Sequence, residues 1–248
     1  MKAKYEMAGR IIEISSLYET VHAYCAEYRT EGTPDFGVEI CREDIENERE
    51  HSAQIARAEG RDPYAPSDDY LEELAVYRKI AEKMPEYDTF LFHGSCIAVD
   101  GEAYLFTAKS GTGKSTHARL WRELLRERAV MVNDDKPLIT VGEEGVLIHG
   151  TPYNGKHHLG TRITVPLKAI CLLERSQDNW IRPVSRAEAF PMLLQQTYRP
   201  SDRIAMVKTV ELLEKAAKLV RLYRLGVNMK PEAARLACEE LCQENGGN

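Results

Sequence analysis

The sequence lacks an excess of positive charge. Its 33 Lys and Arg residues are outnumbered by 39 Asp and Glu residues, which gives a formal net charge of −6. Proteins that bind nucleic acid or anionic membranes through charge carry a basic surface. We therefore expect neither nucleic acid nor a membrane as a partner.

Long apolar runs are also missing. No stretch approaches the roughly 20 apolar residues of a membrane-spanning helix. The first ten residues, MKAKYEMAGR, lack the apolar core of a secretory signal. These absences predict a cytoplasmic protein.

Cysteines in the spacing of a metal site are absent as well. The six cysteines are scattered, and only Cys238 and Cys242 lie one helical turn apart. Two thiols without a further Cys or His nearby make a poor metal site, so we expect them to be small buried hydrophobic residues in a reducing compartment.

A phosphate-binding loop motif is present at residues 108–115, with the sequence AKSGTGKS. Gly111 and Gly113 allow backbone N–H groups to turn inward, and Lys114 can reach the β- and γ-phosphates of a nucleotide. The Ser115 hydroxyl can complete the coordination shell of Mg²⁺. The predicted nucleotide-binding residues are Ser110, Gly111, Thr112, Gly113, Lys114, Ser115 and Thr116.

The flanking sequence fits this motif. A strand is predicted over 103–106 and an amphipathic helix after the loop, with Ala118, Trp121 and Leu124 on its apolar face. The alternative, a glycine-rich turn that binds nothing, does not account for this combination. Asp100-Gly101 predicts a two-residue hairpin turn before the loop strand, which differs from the usual βαβ arrangement.

A pair of acids follows the next strand. Residues 129–132 form a short apolar run that suits a sheet centre, and it ends in Asn133-Asp134-Asp135. A phosphate-loop enzyme places its metal-binding acid at the end of such a strand. Adjacent Asp residues point in different directions, so one can face Mg²⁺ while the other faces an acceptor hydroxyl. The alternative is a strand-to-turn Asp pair without function.

A turn-rich segment at 149–160 follows a predicted strand over 145–148. Lys156 or Arg162 could neutralise a transferring phosphoryl group. His157 and His158 are neighbours and suit a solvated or phosphate-facing role better than a zinc site. A plain loop is the alternative for each of them.

The periodicity of apolar residues predicts the other elements. Asp69 and Glu72 resemble a capping box at the start of a helix. Predicted helices cover 17–28, 42–59, 69–84, 187–195, 203–219 and 231–242, and predicted strands cover 5–15, 36–40, 90–99, 167–174 and 220–225.

The segment from about Phe92 to Asp135 resembles the C-terminal catalytic domain of HPr kinase/phosphorylase and, more distantly, the ATP-dependent phosphoenolpyruvate carboxykinases. The shared features are His93-Gly94, the hairpin, the SGTGKS run and the strand-end acids. The resemblance implies an α/β fold with the P-loop kinase core of this superfamily, a mixed sheet with flanking helices. We expect this catalytic domain over 89–248, preceded by a small α+β lobe over 1–88.

The resemblance also implies roles for individual residues. Asp134 would be the catalytic base and Asp135 would join Ser115 on Mg²⁺, although the reverse is open. His93 would be an electrostatic or hydrogen-bonding helper, with a buried histidine bonded to backbone as its alternative. The family has Glu-x-x-Gly where this chain has Leu147-Ile148-His149-Gly150, so recognition of the HPr protein itself does not carry over.

The expected function is transfer of the γ-phosphoryl group of ATP to a hydroxyl, with Mg²⁺ as cofactor. The acceptor could be a seryl side chain of a protein or peptide, or a small metabolite. Alternatives are a carboxykinase-like lyase and a non-catalytic ATP-binding regulator. The sequence does not distinguish ATP from GTP, and a homo-oligomer is suggested by family analogy alone.

Overall fold

The computed structural model describes residues 1–58, 60, 62, 65–155 and 157–242. The chain forms two compact units, Met1–Lys83 and Met84–Asn248. The functional division into a lobe over 1–88 and a catalytic domain over 89–248 stays a prediction. No helix in the described part of the chain is both long and apolar enough to span a membrane.

The N-terminal unit is an α+β structure. Its elements are β1 (Lys2–Met7), β2 (Arg10–Ser15), α1 (Thr20–Tyr24), a 3-10 turn (Ala26–Tyr28), β3 (Phe36–Glu39), α2 (Arg42–Ala58) and α3 (Asp68–Lys83). β1 and β2 are antiparallel, and β3 lies parallel to β2.

Three predictions for this unit are wrong. The single strand over 5–15 is a hairpin, because Ala8 and Gly9 both adopt positive φ and reverse the chain. The helix over 17–28 is shortened to α1 and the 3-10 turn. Glu72 does not complete a capping box, since its fully buried carboxylate accepts hydrogen bonds from the backbone N–H groups of Leu17 and Tyr18 at 2.6 and 2.8 Å.

The C-terminal unit is a mixed sheet with flanking helices. Its elements are β4 (Thr89–Leu91), β5 (Ser95–Val99), β6 (Glu102–Thr107), α4 (Lys114–Leu125), β7 (Ala129–Asn133), β8 (Leu138–Val141), β9 (Val146–His149), β10 (Thr164–Arg175), β11 (Trp180–Pro183), α5 (Arg186–Gln196), α6 (Arg203–Leu219), β12 (Arg221–Val227) and α7 (Pro231–Leu241). The strand order is β4-β8-β9-β10-β6-β5-β7, and β12 pairs with both β10 and β11.

The central strand β10 has apolar side chains on both faces. Ile170 and Leu172 pack with residues of α5 and α6, whereas Ala169, Cys171 and Leu173 pack with residues of α4 and α7. A strand that is covered on both faces reads as a continuous apolar run, and the prediction over 167–174 is confirmed for this reason.

Strand β6 lies next to β10 and leads into the loop at 108–113. β6 and β10 are parallel, and so are β10 and β12, so the carboxyl ends of these three strands lie at one edge of the sheet. β5 and β6 form the predicted hairpin, with Asp100 and Gly101 at φ values of 52° and 86°.

Two further strand predictions are correct only in part: the strand over 90–99 is interrupted, and the run at 129–132 is a strand, β7, but not a central one. The strand over 90–99 is divided into β4 and β5 around Gly94, where an added Cβ would lie 2.9 Å from the Phe106 carbonyl oxygen. β7 lies at the end of the strand order rather than at the sheet centre, and Val130 is accordingly 38% exposed.

Candidate functional site

The segment from β6 to α4 has the predicted order of strand, loop and helix. Gly111 and Gly113 adopt φ values of 74° and 117°, which L side chains rarely adopt, and Gly113 is the N-cap of α4. The guanidinium of Arg175, at the end of β10, donates a hydrogen bond to the Gly111 carbonyl oxygen at 2.6 Å. The backbone therefore has the conformations that the glycine spacing predicts.

Lys114 occupies the first turn of α4. Its ammonium group donates to the Ala108 carbonyl oxygen at 3.1 Å, so the side chain folds back over its own loop. Burial lowers the pKa of Lys114, while the carboxylates of Asp135 and Asp134 act in the opposite direction. Lys114 is therefore within electrostatic range of both acids.

Asn133 organises the turn that carries the two acids. Its fully buried side chain accepts hydrogen bonds from the backbone N–H groups of Asp135 and Lys136 at 2.9 and 2.7 Å. Its amide nitrogen donates to the Thr151 hydroxyl at 2.9 Å. The side chain therefore links the end of β7 to the segment at 150–162.

Asp134 lies on the buried side of this turn and is 8% exposed. Its carboxylate accepts a hydrogen bond from the Ser95 hydroxyl at 2.7 Å, and the Ser115 hydroxyl lies close enough to lower its pKa. Burial raises the pKa of Asp134, and the two serine hydroxyls offset only part of this effect. The first turn of α4 and the end of β7 thus meet at this carboxylate.

Asp135 lies on the more open side, with a side-chain exposure of 28%. His93 Nε2 is 3.3 Å from one carboxylate oxygen, and Lys136 Nζ is 3.1 Å from the other. Burial on its own raises the pKa of Asp135, but these two partners outweigh it and lower the pKa to about 2. The pKa values of the two adjacent acids are therefore shifted in opposite directions.

Backbone hydrogen bonds place His93 beside Asp135. Phe92 N–H donates to the Pro137 carbonyl oxygen and Gly94 N–H to the Asp135 carbonyl oxygen, at 3.1 and 3.0 Å. The imidazole is 38% exposed, so His93 is not the buried histidine that the sequence left as an alternative.

The segment at 150–162 packs closely on the end of β7. An added Cβ at Gly150 would lie 1.9 Å from the Thr161 carbonyl oxygen, and one at Gly155 would lie 3.2 Å from Asp135 Cβ. His157 acts electrostatically on Asp134 and lowers its pKa slightly. Lys156, predicted as catalytic, lies outside the described residues.

The structure brings several predicted residues together. Asp134, Asp135 and His93 lie together at the end of β7, and Ser115 and Lys114 of α4 are close enough to interact with these acids. Sequence reasoning missed Ser95, for which no motif gave a signal. It also missed the positioning role of Asn133, although an Asn directly after a strand and before two acids is a recognisable start of an Asx turn.

The two cysteines of α7 and its C-cap are only partly buried, in contrast to the prediction. Their sulfur atoms are 3.5 Å apart. The Cys238 thiol donates to Cys242 and lowers the pKa of Cys242 to about 7. Among the described residues there is no group of three or more His, Cys, Asp or Glu that could hold a metal ion on its own.

The structure is similar to that of the Hpr(Ser) kinase/phosphatase from Coxiella burnetii. The two share 10% sequence identity with a TM-score of 0.35, and the match covers 60% of this chain and 95% of the other. No curated protein gives a significant match.

A family model described as "SynChlorMet cassette protein ScmC" matches residues 69–222, which is more than half of the chain. This is not an HPr kinase family, so the resemblance of the sequence to HPr kinase stays a proposal. The strand-loop-helix segment, the two acids and His93 all fall within the matched range. The chain therefore belongs to the family of the SynChlorMet cassette protein ScmC.

Proposed function

We propose that this protein is a Mg²⁺-dependent kinase of the HPr-kinase type. It would transfer the γ-phosphoryl group of ATP to a hydroxyl acceptor. The observation that carries the proposal is the position of the Ser115 hydroxyl, in the first turn of α4, close enough to the buried carboxylate of Asp134 to lower its pKa. It brings the glycine-rich loop next to a strand end that carries two acids. Phosphoryl transfer needs these two parts in contact.

The residues fit a triphosphate with Mg²⁺. Gly111 and Gly113 have left-handed conformations, and the ammonium group of Lys114 donates a hydrogen bond to a loop carbonyl oxygen. The polar groups of Ser115 and Asp134 are oxygens, which Mg²⁺ prefers. Mg²⁺ binds through one or two carboxylates plus phosphate oxygens, so a larger cluster of acids is not required. When bound, the ion would neutralise charge on the β- and γ-phosphates.

We assign Asp134 to Mg²⁺ and Asp135 as the catalytic base, which is the alternative that the sequence left open. Asp134 lies near Ser115 and is almost fully buried, so it suits the metal side. Asp135 is more exposed and faces His93, so it suits the acceptor hydroxyl. The raised pKa of Asp134 on its own favours the opposite assignment, with Asp134 as the base. Geometry takes precedence, because a base must first reach the proton that it accepts.

The remaining residues then have supporting roles. The run from Ser110 to Thr116 would hold the phosphates through backbone N–H groups and hydroxyls. His93 would fix the orientation of Asp135 through the contact at 3.3 Å. Lys156 is retained as a candidate for neutralising the transferring group. The acceptor would be a seryl side chain of a protein or peptide, or a small metabolite.

The proposal is tested with purified protein, Mg²⁺, γ-labelled ATP and an extract of proteins and small molecules. We expect label to move to a defined acceptor. Lys114→Ala should abolish ATP binding, and Asp135→Asn should abolish transfer while ATP binding persists. Asp134→Asn should raise the Mg²⁺ concentration that is needed for half-maximal binding of ATP.

The control is Glu144→Gln, which removes an exposed negative charge in the turn between β8 and β9. It should leave binding and transfer unchanged. ATP binding by the wild type without transfer to any acceptor would support a nucleotide-binding regulator instead. Transfer that survives Asp135→Asn but not Asp134→Asn would reverse the two assignments.

A further inference from the structure

A cavity of about 250 Å³ lies directly against the loop at 108–113. Lys109 and Thr112 of the loop form one side, and Leu173 and Arg175 at the end of β10 form another. Met192 of α5 closes the apolar side. The cavity therefore combines an apolar wall with three cations, Lys109, Arg175 and Arg224, and the carboxylate of Glu174.

The position of this cavity in the sheet separates it from the acids. β10 lies on one side of β6, and β5 and β7 lie on the other. Asp134 and Asp135 follow β7, whereas the cavity is at the end of β10. A triphosphate bound along the loop would have its reacting end toward the acids and Lys114, and its opposite end toward the cavity.

We propose that this cavity binds the nucleoside part of the triphosphate. The inference rests on the proposed function, since it takes the loop to be the phosphate site. The volume is just below the roughly 300–1,000 Å³ typical of sites for whole small molecules, so the cavity suits part of a ligand. A base and ribose attached to phosphates outside the cavity meet this condition.

Arg175 is the residue that makes the cavity suitable for a base. Its guanidinium donates a hydrogen bond to the Gly111 carbonyl oxygen, which holds the guanidinium at the cavity wall. Guanidinium planes and apolar side chains both pack against the faces of nucleobases. Leu172 and Met192, which belong to the same apolar cluster, supply the apolar surface for the ring.

The acceptor is the other candidate occupant. Its hydroxyl must reach Asp135 and the γ-phosphate, which lie across β6 from the cavity. An acceptor seated at the end of β10 would have to cross the loop to react. The nucleoside has no such requirement, since its end of the ligand takes no part in the transfer.

The test compares ATP with inorganic tripolyphosphate, which has the phosphates but no base or ribose. Met192→Trp fills the cavity from α5 without changing a residue of the loop. We expect it to weaken ATP binding by about tenfold or more, the scale of one lost base contact. Tripolyphosphate binding should stay within about twofold of the wild type. Gln195→Trp, an exposed position on the same helix, should change neither.

The outcomes separate this inference from the proposed function. If the wild type binds both ligands and Met192→Trp weakens neither, or weakens both equally in a folded protein, the nucleoside assignment is wrong. If the wild type binds neither ligand, the proposed function fails and the inference with it. If Met192→Trp does not fold, photo-crosslinking of the wild type with an azido-adenine nucleotide decides. An adduct in 172–175 or at Met192 supports the assignment, and an adduct elsewhere overturns it.

Discussion

Replacement of Asn133 by Ala should both destabilise the C-terminal unit and displace Asp135. The Asn133 side chain accepts hydrogen bonds from the N–H groups of Asp135 and Lys136, at 2.9 and 2.7 Å, and donates to Thr151 at 2.9 Å. Each bond contributes about 1 kcal/mol net, so Asn133→Ala should lower the free energy of unfolding by about 3 kcal/mol.

The assay is urea unfolding followed by tryptophan fluorescence. The chain has two tryptophans, Trp121 and Trp180, and both lie in the unit Met84–Asn248, so their emission reports on this unit. With a slope of about 2 kcal/mol per molar urea, the midpoint should fall by about 1.5 M. ATP-dependent transfer should also be lost, because the turn that presents Asp135 is no longer held.

Asn228→Ala is the matched control. Asn228 also accepts a hydrogen bond from a backbone N–H two residues later, at 3.2 Å, but it is only partly buried. Water can replace its bonds, so its loss should cost about 1 kcal/mol or less. A midpoint for Asn133→Ala within about 0.3 M of that of Asn228→Ala would refute the reasoning.

Three further predictions follow from the same contacts. Because the folded pKa of Asp135 is about 2, below its ordinary value, its ionised form stabilises the folded state by at most about 2 kcal/mol. This stabilisation is lost as the pH falls from about 4 to about 2, and Asp135→Asn should flatten the stability curve there. Gly150→Ala should cost about 3 kcal/mol or more, because its Cβ would meet two backbone carbonyl oxygens, whereas Gly142→Ala should be nearly neutral in the same urea assay. Cys242 should react with iodoacetamide faster than Cys238 at pH 7.5, and Cys238→Ala should slow it severalfold as the pKa of Cys242 rises; equal rates would contradict this.

The sequence predicts the structure best where neighbouring residues determine the local conformation. The motif singles out Gly111 and Gly113, which both have positive φ values, and Asp100-Gly101 predicts the hairpin turn. Strand β10 could be identified because it is covered on both faces. In each case a few neighbouring residues suffice to determine the conformation.

Elements that depend on distant partners could not be predicted in this way. β8 has only four residues, between Pro137 and Gly142, and β11 ends in a proline. The edge position of β7 depends on the strand order and cannot be read from its apolar run. Ser95 approaches Asp134 only because β5 pairs with β7, which lies 30 residues further along the chain.

The edge position of β7 explains how two adjacent acids can occupy different environments. β7 pairs with β5, and Cys96 is the partner of Asn133 at its end, so beyond Asn133 the chain is free to turn. The turn bonds the Asp135 backbone to the segment around His93, while the Asp134 side chain stays at the buried side with Ser95. Burial raises the pKa of Asp134, and the neighbours of Asp135, His93 and Lys136, lower the pKa of Asp135. Two carboxyl groups whose pKa values are pushed apart in this way are suited to separate roles in one reaction.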